Sequence, residues 1–368
     1  MFARKWLSVL ALLPAVSLFG ATACQQELAR AKVVSAAPSI PGPQSSQGNI
    51  VIAAVGDIML GSTYPPGRGL PPEDGATMLR EVTPLLTSAD ITFGNLEGPL
   101  LEGGSTSKCR PDSHSCYAFR VPTRYGSYLK GAGFTTMSLA NNHTSDFGAE
   151  GRESTKHVLD SLGIAHAGGD FNDIAYLNVK GKRVGVIAFA FNNISYNVND
   201  IETARKVVAR VKAKCDLVIV SFHAGAEGAA AQHVPRGPET YLREARGDSR
   251  AFTHAVIDAG ADLALGSGPH VVRGMEVYRN RLIVYSLGNF AFHGFRFAGP
   301  TGLSLVLEVA ISSDGRFLSG QIHPLIETQE GPRPDKDRTI IPIARHLSTE
   351  DFGLSAVKIS DDGVISPP

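Results

Sequence analysis

Side chains able to hold a divalent cation or move a proton recur at one kind of place in this 368-residue sequence. Each follows an apolar run: Asp57 after residues 49–55, Asn95 and Glu97 after 90–93, Asn142 and His143 after 133–139, His223 after 216–222, and His270 after 262–265. Carboxylate, amide and imidazole are the oxygen and nitrogen donors that suit Mn, Fe, Zn or Mg. A cation held by them lowers the pKa of a bound water and clamps phosphoryl oxygens, so the chemistry indicated is metal-assisted hydrolysis of a phosphoester. Singly, each residue has a bland reading. Asp57 is equally a turn residue at a strand end, and His143 a satisfied loop histidine. The recurrence at five strand ends favours a site.

The densest stretch is Ser138-Leu139-Ala140-Asn141-Asn142-His143-Thr144-Ser145-Asp146-Phe147-Gly148. It lies between a short buried strand (133–139) and a helix (150–162), and open α/β sheets gather ligands beyond the carboxyl ends of their strands. Burying two amides, an imidazole and a carboxylate there is costly unless each polar atom has a partner. A metal ion, an anionic substrate or a structural hydrogen-bond network would each provide partners.

The elements that must position these residues follow from hydrophobic periodicity. Residues 49–55 are a continuous apolar run, as in a strand covered on both faces. Helices are expected over 78–86, 123–131 and 201–213, and over 240–259 with Gly247 as a weak point. Residues 164–170 read as a short strand and turn in which His166 is structural. Hairpins are expected over 175–189 and 275–287, and 216–222 is the clearest buried strand. From 303 onward the chain reads as further antiparallel strands, with turns at Asp314-Gly315 and Asp362-Gly363. Internal repeats, a Walker loop and a dinucleotide fingerprint are all missing from the sequence.

Lys+Arg and Asp+Glu both number 35, and basic residues do not cluster with aromatics, which argues against nucleic acid as a partner. Residues 1–23 read as a signal peptide: Arg4 and Lys5, an apolar run, then Ala21-Thr22-Ala23. Cys24 follows as in a bacterial lipobox, with Ala21 in place of the usual large aliphatic residue. Lipidation of Cys24 is expected, and simple secretion after Ala23 is the alternative. Residues 24–48, rich in Ala, Ser, Pro, Gly and Gln, read as a tether. A domain is expected over 49–330 and a C-terminal extension packing on it over 331–368. No later stretch reaches membrane length, so contact with the membrane is expected through the lipid alone. Cys109 and Cys116 flank a polar loop and suggest a local disulfide in an oxidising compartment, a zinc clip with His114 being the weaker alternative. Cys215 is expected to be a buried free thiol.

An ordered set of motifs resembles the bacterial capsule-synthesis family called CapA or PgsA, associated with poly-γ-glutamate. The motifs are Gly56-Asp57-Ile58-Met59-Leu60-Gly61, Asn95-Leu96-Glu97, Phe119-Arg120-Val121-Pro122, Leu139-Ala140-Asn141-Asn142-His143-Thr144 with Asp146 and Gly148, His223-Ala224-Gly225-Ala226-Glu227, Gly268-Pro269-His270-Val271 and Tyr285-Ser286-Leu287-Gly288-Asn289-Phe290. That family is similar in fold to the calcineurin-like metallophosphoesterases. The resemblance implies an α/β fold, a four-layer α-β-β-α sandwich with one or two divalent ions at the strand ends. It implies Asp57 and Glu97 as carboxylate ligands, with Asn95 as the alternative to Glu97, and Asn142, His223 and His270 as the remaining ligands. His143 would stabilise charge on the transferring group or leaving oxygen. Arg120, Glu227 and Arg273 would orient an anionic substrate or lie on the surface. Asn95, Asn141, Ser286 and Asn289 would brace the ligands from behind. The chain departs from the metallophosphoesterase pattern at Met59, which stands where the first motif has a histidine. Ser267 stands where capsule-family members commonly place another. The implied function is a membrane-tethered capsule or poly-γ-glutamate biosynthesis protein of the cell envelope. It would act hydrolytically on a phosphoester or an anionic polymer, beside the capsule synthesis machinery. The alternative is a non-catalytic factor in polymer synthesis or export.

Overall fold

The strand Ile50–Met59 is buried along its whole length, and both its faces are covered. Successive side chains point to opposite faces of a sheet. Ile50, Ile52 and Ala54 meet Val184, Val186, Leu217 and Leu263 of a second sheet in one apolar core. Ala53 and Val55 face the other way, toward Leu86, Leu129 and Leu159 of the helical layer. The second sheet is covered in the same manner. Its Ile187, Phe189, Val218 and Val220 pack with Ala204, Val208, Phe252 and Val256, which come from helices Ile201–Lys212 and Ser249–Asp258. The architecture is therefore an α/β sandwich of four layers, α-β-β-α, as the resemblance implies. These features come from a computed structural model that describes residues 48–66, 69–109 and 116–368. The expected signal peptide, Cys24 and nearly all of the tether lie outside the described residues, as does His114. Among the described residues, no helix is long and apolar enough to cross a membrane.

Strand direction places the site. In the first sheet Ile50–Met59, Ile91–Leu96, Thr136–Ser138 and Ala165–Ala167 are parallel neighbours. In the second, Lys182–Ala190, Leu217–His223, Leu263–Ser267 and Arg281–Val284 are parallel. Each set thus presents its carboxyl ends along one edge. The chain then crosses between the sheets. After Arg281–Val284 it turns through residues 285–288, and Asn289–Phe292 pairs in parallel with Ile50–Met59, setting Asn289 opposite Asp57. This crossing requires glycine at position 56: a Cβ there would lie 1.8 Å from the Gly288 carbonyl oxygen. That carbonyl accepts the Asp57 N–H at 2.9 Å.

Three expected elements differ. The helix expected over 78–86 is confined to Thr83–Leu86, preceded by single turns closed by i to i+3 bonds at Met78, Arg80 and Val82. Pro84 has no N–H and suits only the first turn of a helix. The helix expected over 240–259 begins at Ser249, capped by Asp248. Before it, Glu239–Tyr241 and Glu244–Gly247 form a hairpin. Leu242 and Arg243 both take positive φ at its turn, 48° and 69°, the primed geometry that matches strand twist. Near the C-terminus, where only strands are expected, Ile340–Phe352 is a helix. Its Ile340, Ile341, Ala344, Leu347 and Ser348 are buried at helical spacing, a periodicity present in the sequence. Strand Val364–Ser366 adds to the first sheet beside Phe317–Ile326.

Candidate metal centre

The strand ends converge. Asp57 and Asn95 are register partners on adjacent strands, and His223 is the partner of Ser267. Asp57, Glu97 and His270 place one donor atom each within 4.8 Å of one another. His223 Nε2 lies 4.0 Å and His270 Nε2 3.8 Å from Glu97 Oε1. His143 Nε2 approaches the same oxygen at 3.9 Å. Three imidazoles thus surround one carboxylate oxygen at distances too long for hydrogen bonds.

The opposite face of each ring is tied down. His223 Nδ1 lies 3.1 Å from Ser267 Oγ. His270 Nδ1 lies 2.9 Å from Asn289 Oδ1. It is also 3.1 Å from Asp57 Oδ2, but the aligned bond is the one to Asn289. Histidine ligands of metals characteristically anchor the non-ligating nitrogen in this way, which fixes the ring and leaves the other nitrogen for the ion. The donors also lack other partners. Asp57 Oδ2, both Glu97 oxygens, Asn142 Oδ1 and His223 Nε2 are buried without a hydrogen bond. Leaving the atoms of Asp57, Glu97 and His223 unsatisfied side by side is expensive. A divalent cation would satisfy them, and the donor set of carboxylate, amide and imidazole is chemically suited to one.

Asn95 and Glu97 are now distinguishable. Asn95 Nδ2 donates to Asp57 Oδ1 at 2.8 Å, and its Oδ1 accepts from Asn141 Nδ2 at 3.1 Å. Its polar atoms are engaged, whereas both Glu97 oxygens are open. Asn141 also donates to the Leu96 carbonyl at 2.9 Å and accepts the His143 N–H at 3.0 Å. Asn289 donates to the His270 and Thr301 carbonyls, and Ser286 Oγ accepts the Gly288 N–H at 3.1 Å. His270 itself sits at φ 57°, a left-handed conformation costing a non-glycine residue roughly 1–2 kcal/mol.

Electrostatics separate the candidate ligands. Burial alone would raise Asp57, but His270 and His223 outweigh it and hold the carboxyl below its ordinary value. Burial, and then the charge of Asp57, push Glu97 well above its ordinary range. Burial drives His223 down to about 3. His270 resists burial through Glu97 and Asp57 and rises to about 10.

His143 is 7% exposed, and burial lowers its pKa. Its Nδ1 lies 2.7 Å from Asp146 Oδ2, and the Phe119 ring packs over it with centroids 4.3 Å apart. Asp146 also accepts the Phe119 N–H at 2.7 Å.

The expected substrate-binding residues are distributed otherwise. Arg273 is fully buried. Its guanidinium bonds both oxygens of Glu239, at 2.9 and 2.7 Å, and the Ala231 carbonyl at 2.7 Å. It therefore braces the loop after His223 and is not presented to a substrate; the sequence carried no sign that Glu239 faces it. Arg120 donates to Thr63 Oγ1 at 2.9 Å and to the Gly103 carbonyl at 2.6 Å, tying two loops together. Glu227 is near the cluster, raising Glu97 through its charge, and its Oε1 lies 2.7 Å from Arg246 Nη1. Arg246 is 2% exposed, stacks over Phe191 at 4.1 Å and depresses His223 electrostatically. Sequence reasoning missed Arg246 because it read that segment as helix. It placed Asp146 in the central motif without pairing it to His143, three residues away, and gave no role to Lys108. Cys109 and Cys116 are disulfide-bonded with Cα atoms 5.5 Å apart, and Cys215 is a buried free thiol.

Residues 51–294, which include every strand-end donor, match the family described as "Bacterial capsule synthesis protein PGA_cap". The chain belongs to this family. Among PGA_cap relatives, "Capsule biosynthesis protein CapA" of Bacillus anthracis is 31% identical over 263 residues, 66% of this chain and 60% of that protein. "PGA biosynthesis protein CapA" of Bacillus subtilis (strain 168) is 28% identical over 255 residues, 65% of this chain and 62% of that protein. The chain thus spans about three-fifths of the length of these curated relatives. Among solved structures, a putative 5'-nucleotidase from Staphylococcus aureus aligns with 79% of this chain and 57% of its own, with 14% identity and a TM-score of 0.44.

Proposed function

We propose that this PGA_cap protein serves capsule or poly-γ-glutamate biosynthesis at the cell envelope through a divalent-metal centre formed by Asp57, Glu97, Asn142, His223 and His270. The centre acts hydrolytically on a phosphoester or on the anionic polymer. The supporting observation is the convergence of Asp57, Glu97, His223 and His270, with Asp57 Oδ2, both Glu97 oxygens and His223 Nε2 buried and without a hydrogen-bond partner. When bound, the cation polarises an ester oxygen and lowers the pKa of a water. The chain's residues do the rest. Asp57 is held in its charged form by His270 and His223. Asn95, Ser267 and Asn289 fix the orientation of Asp57, His223 and His270 respectively. His143, anchored at Nδ1 by Asp146, keeps Nε2 toward the cluster, where it can hold or deliver a proton to a leaving oxygen. Lipidation at Cys24 would tether the domain at the membrane, next to the capsule synthesis machinery and its anionic polymer.

The test is metal analysis of the purified full chain, with manganese-dependent turnover of an aryl phosphate and of poly-γ-glutamate. Asp57→Ala and His223→Ala should reduce turnover to background. Absence of bound metal and of turnover, with both variants indistinguishable from the parent, would refute the centre. A second reading, an accessory factor without catalysis, is favoured by two positions. Met59 is buried among apolar side chains, and Ser267 Oγ is engaged by His223 Nδ1 at 3.1 Å. Capsule lost on deletion of the gene and restored by Asp57→Ala would establish that reading.

A further inference from the structure

Lys108 lies in a segment without helix or strand, yet its ammonium meets three groups of the candidate site. Nζ is 2.9 Å from the Asn142 carbonyl and 3.2 Å from His143 Nδ1, and it forms an ion pair with Asp146 Oδ1. Its side chain is 30% exposed, whereas that of Asp146 is fully buried. An exposed lysine normally keeps its rotamer freedom, so something must hold this one. The neighbouring residues do. Cys109, the next residue, is bonded to Cys116. Thr106 Oγ1 bonds the Asp146 carbonyl and accepts the Lys108 N–H at 3.2 Å. The segment is therefore fastened to the His143 loop through Thr106 before the lysine, and to Cys116 through the disulfide after it.

We propose that Lys108, clamped by the Cys109–Cys116 disulfide beside it, is a positioning residue that orders the His143–Asp146 pair and the Asn142 main chain. Opening the disulfide releases it. By engaging Asp146 Oδ1, Lys108 leaves Oδ2 for His143 Nδ1 and the Phe119 N–H. By engaging the Asn142 carbonyl, it holds the main chain of a proposed metal ligand. Its ammonium donates to two acceptors, the Asn142 carbonyl and Asp146 Oδ1; His143 Nδ1, which gives its own proton to Asp146 Oδ2, is a neighbour at 3.2 Å and not a third acceptor. The inference rests on the proposed site only in making the result matter for metal binding; the contacts belong to the protein alone.

The experiment uses the full chain without added metal, as parent, Lys108→Met, Lys108→Arg, and parent treated with dithiothreitol. The reductant transfers two electrons and two protons to Cys109 and Cys116 and becomes its own cyclic disulfide. The readouts are the imidazole 15N resonances of His143, assigned with His143→Gln, and amide hydrogen exchange over residues 141–148. Lys108→Met and reduction should both shift the His143 signals and raise exchange at Thr144, Asp146 and Gly148, whose turn bonds close this loop. Lys108→Arg, which restores the cation, should return both readouts toward the parent. Manganese titration should then show affinity about 10-fold weaker for Lys108→Met, as for loss of groups that support metal ligands. His143 signals and exchange unchanged in Lys108→Met and after reduction would overturn the inference. So would equal disturbance by Lys108→Arg and Lys108→Met. If Lys108→Met fails to fold, reduction of the parent gives the decision. A parent that binds no manganese refutes the metal centre, while the resonance and exchange readouts still decide the role of Lys108.

Discussion

Glu97 and Glu276 are both buried glutamates beside histidine, and they are treated in opposite ways. Glu276 lies in the second sheet and accepts from His254 Nε2 at 2.9 Å, Tyr285 Oη at 2.8 Å and Ser355 Oγ at 2.9 Å. Glu97 accepts from nothing, and the nearest imidazole nitrogens stand 3.8 to 4.0 Å from its Oε1. Burial pushes both carboxyls up. At Glu276 the hydrogen bonds win and the pKa falls below its ordinary value. At Glu97 burial and Asp57 win, and it rises. One network is closed and holds the C-terminal segment to the sheet. The other is ordered from behind but open at its centre. Burial of polar groups alone therefore does not mark a site; burial with aligned, unsatisfied donors does.

The sharpest way to break this contrast is to remove each carboxylate. At manganese concentrations 100-fold above its dissociation constant, the parent should gain about 2.7 kcal/mol by linkage. Glu97→Gln should abolish the accompanying rise in melting temperature in scanning calorimetry. A rise equal to the parent's would show that Glu97 is no ligand. Glu276→Ala should leave manganese affinity unchanged but cost about 3 kcal/mol in urea denaturation, because Tyr285, His254 and Ser355 lose their acceptor. A loss in manganese affinity there would merge the two networks into one.

The smallest effect separates carboxyls by pH. Glu276 is depressed in the fold. Its contribution is present above the unfolded value of about 4.5 and is lost as pH falls through the lower native value. Glu327 has the opposite sign. Burial raises it well above 4.5, opposed only by the Phe292 N–H it accepts at 2.6 Å. Its contribution is present below about 4.5 and is lost as pH rises through the higher native value. Glu276→Gln should flatten the acid side of the stability profile and Glu327→Gln the side above pH 4.5. Identical profiles for the two variants would contradict both assignments.

Much of the site could be read from the chain because Asp57, Glu97, His223 and His270 each follow an apolar run long enough to be a buried strand, and strand direction alone sends such residues to one sheet edge. Lys108 and Arg246 left no such trace. Lys108 sits in an irregular loop whose docking depends on a disulfide. Arg246 belongs to a hairpin formed at two positive-φ residues, where helical composition misled the reading. Arg273 looked like a free cation because its partner Glu239 is distant in sequence.

Local sequence determined the strands, their burial on both faces and the type of chemistry at their ends, because periodicity and side-chain donors are properties of short segments. Tertiary structure decided which donors remain open. That depends on the chain crossing from the second sheet to the first at residues 285–288, which places Asn289 beside Asp57 and behind His270. It depends equally on the separation of about 4 Å that keeps three histidines from closing on Glu97. A gap of that size is set by the packing of two sheets against each other, and no short stretch of sequence encodes it.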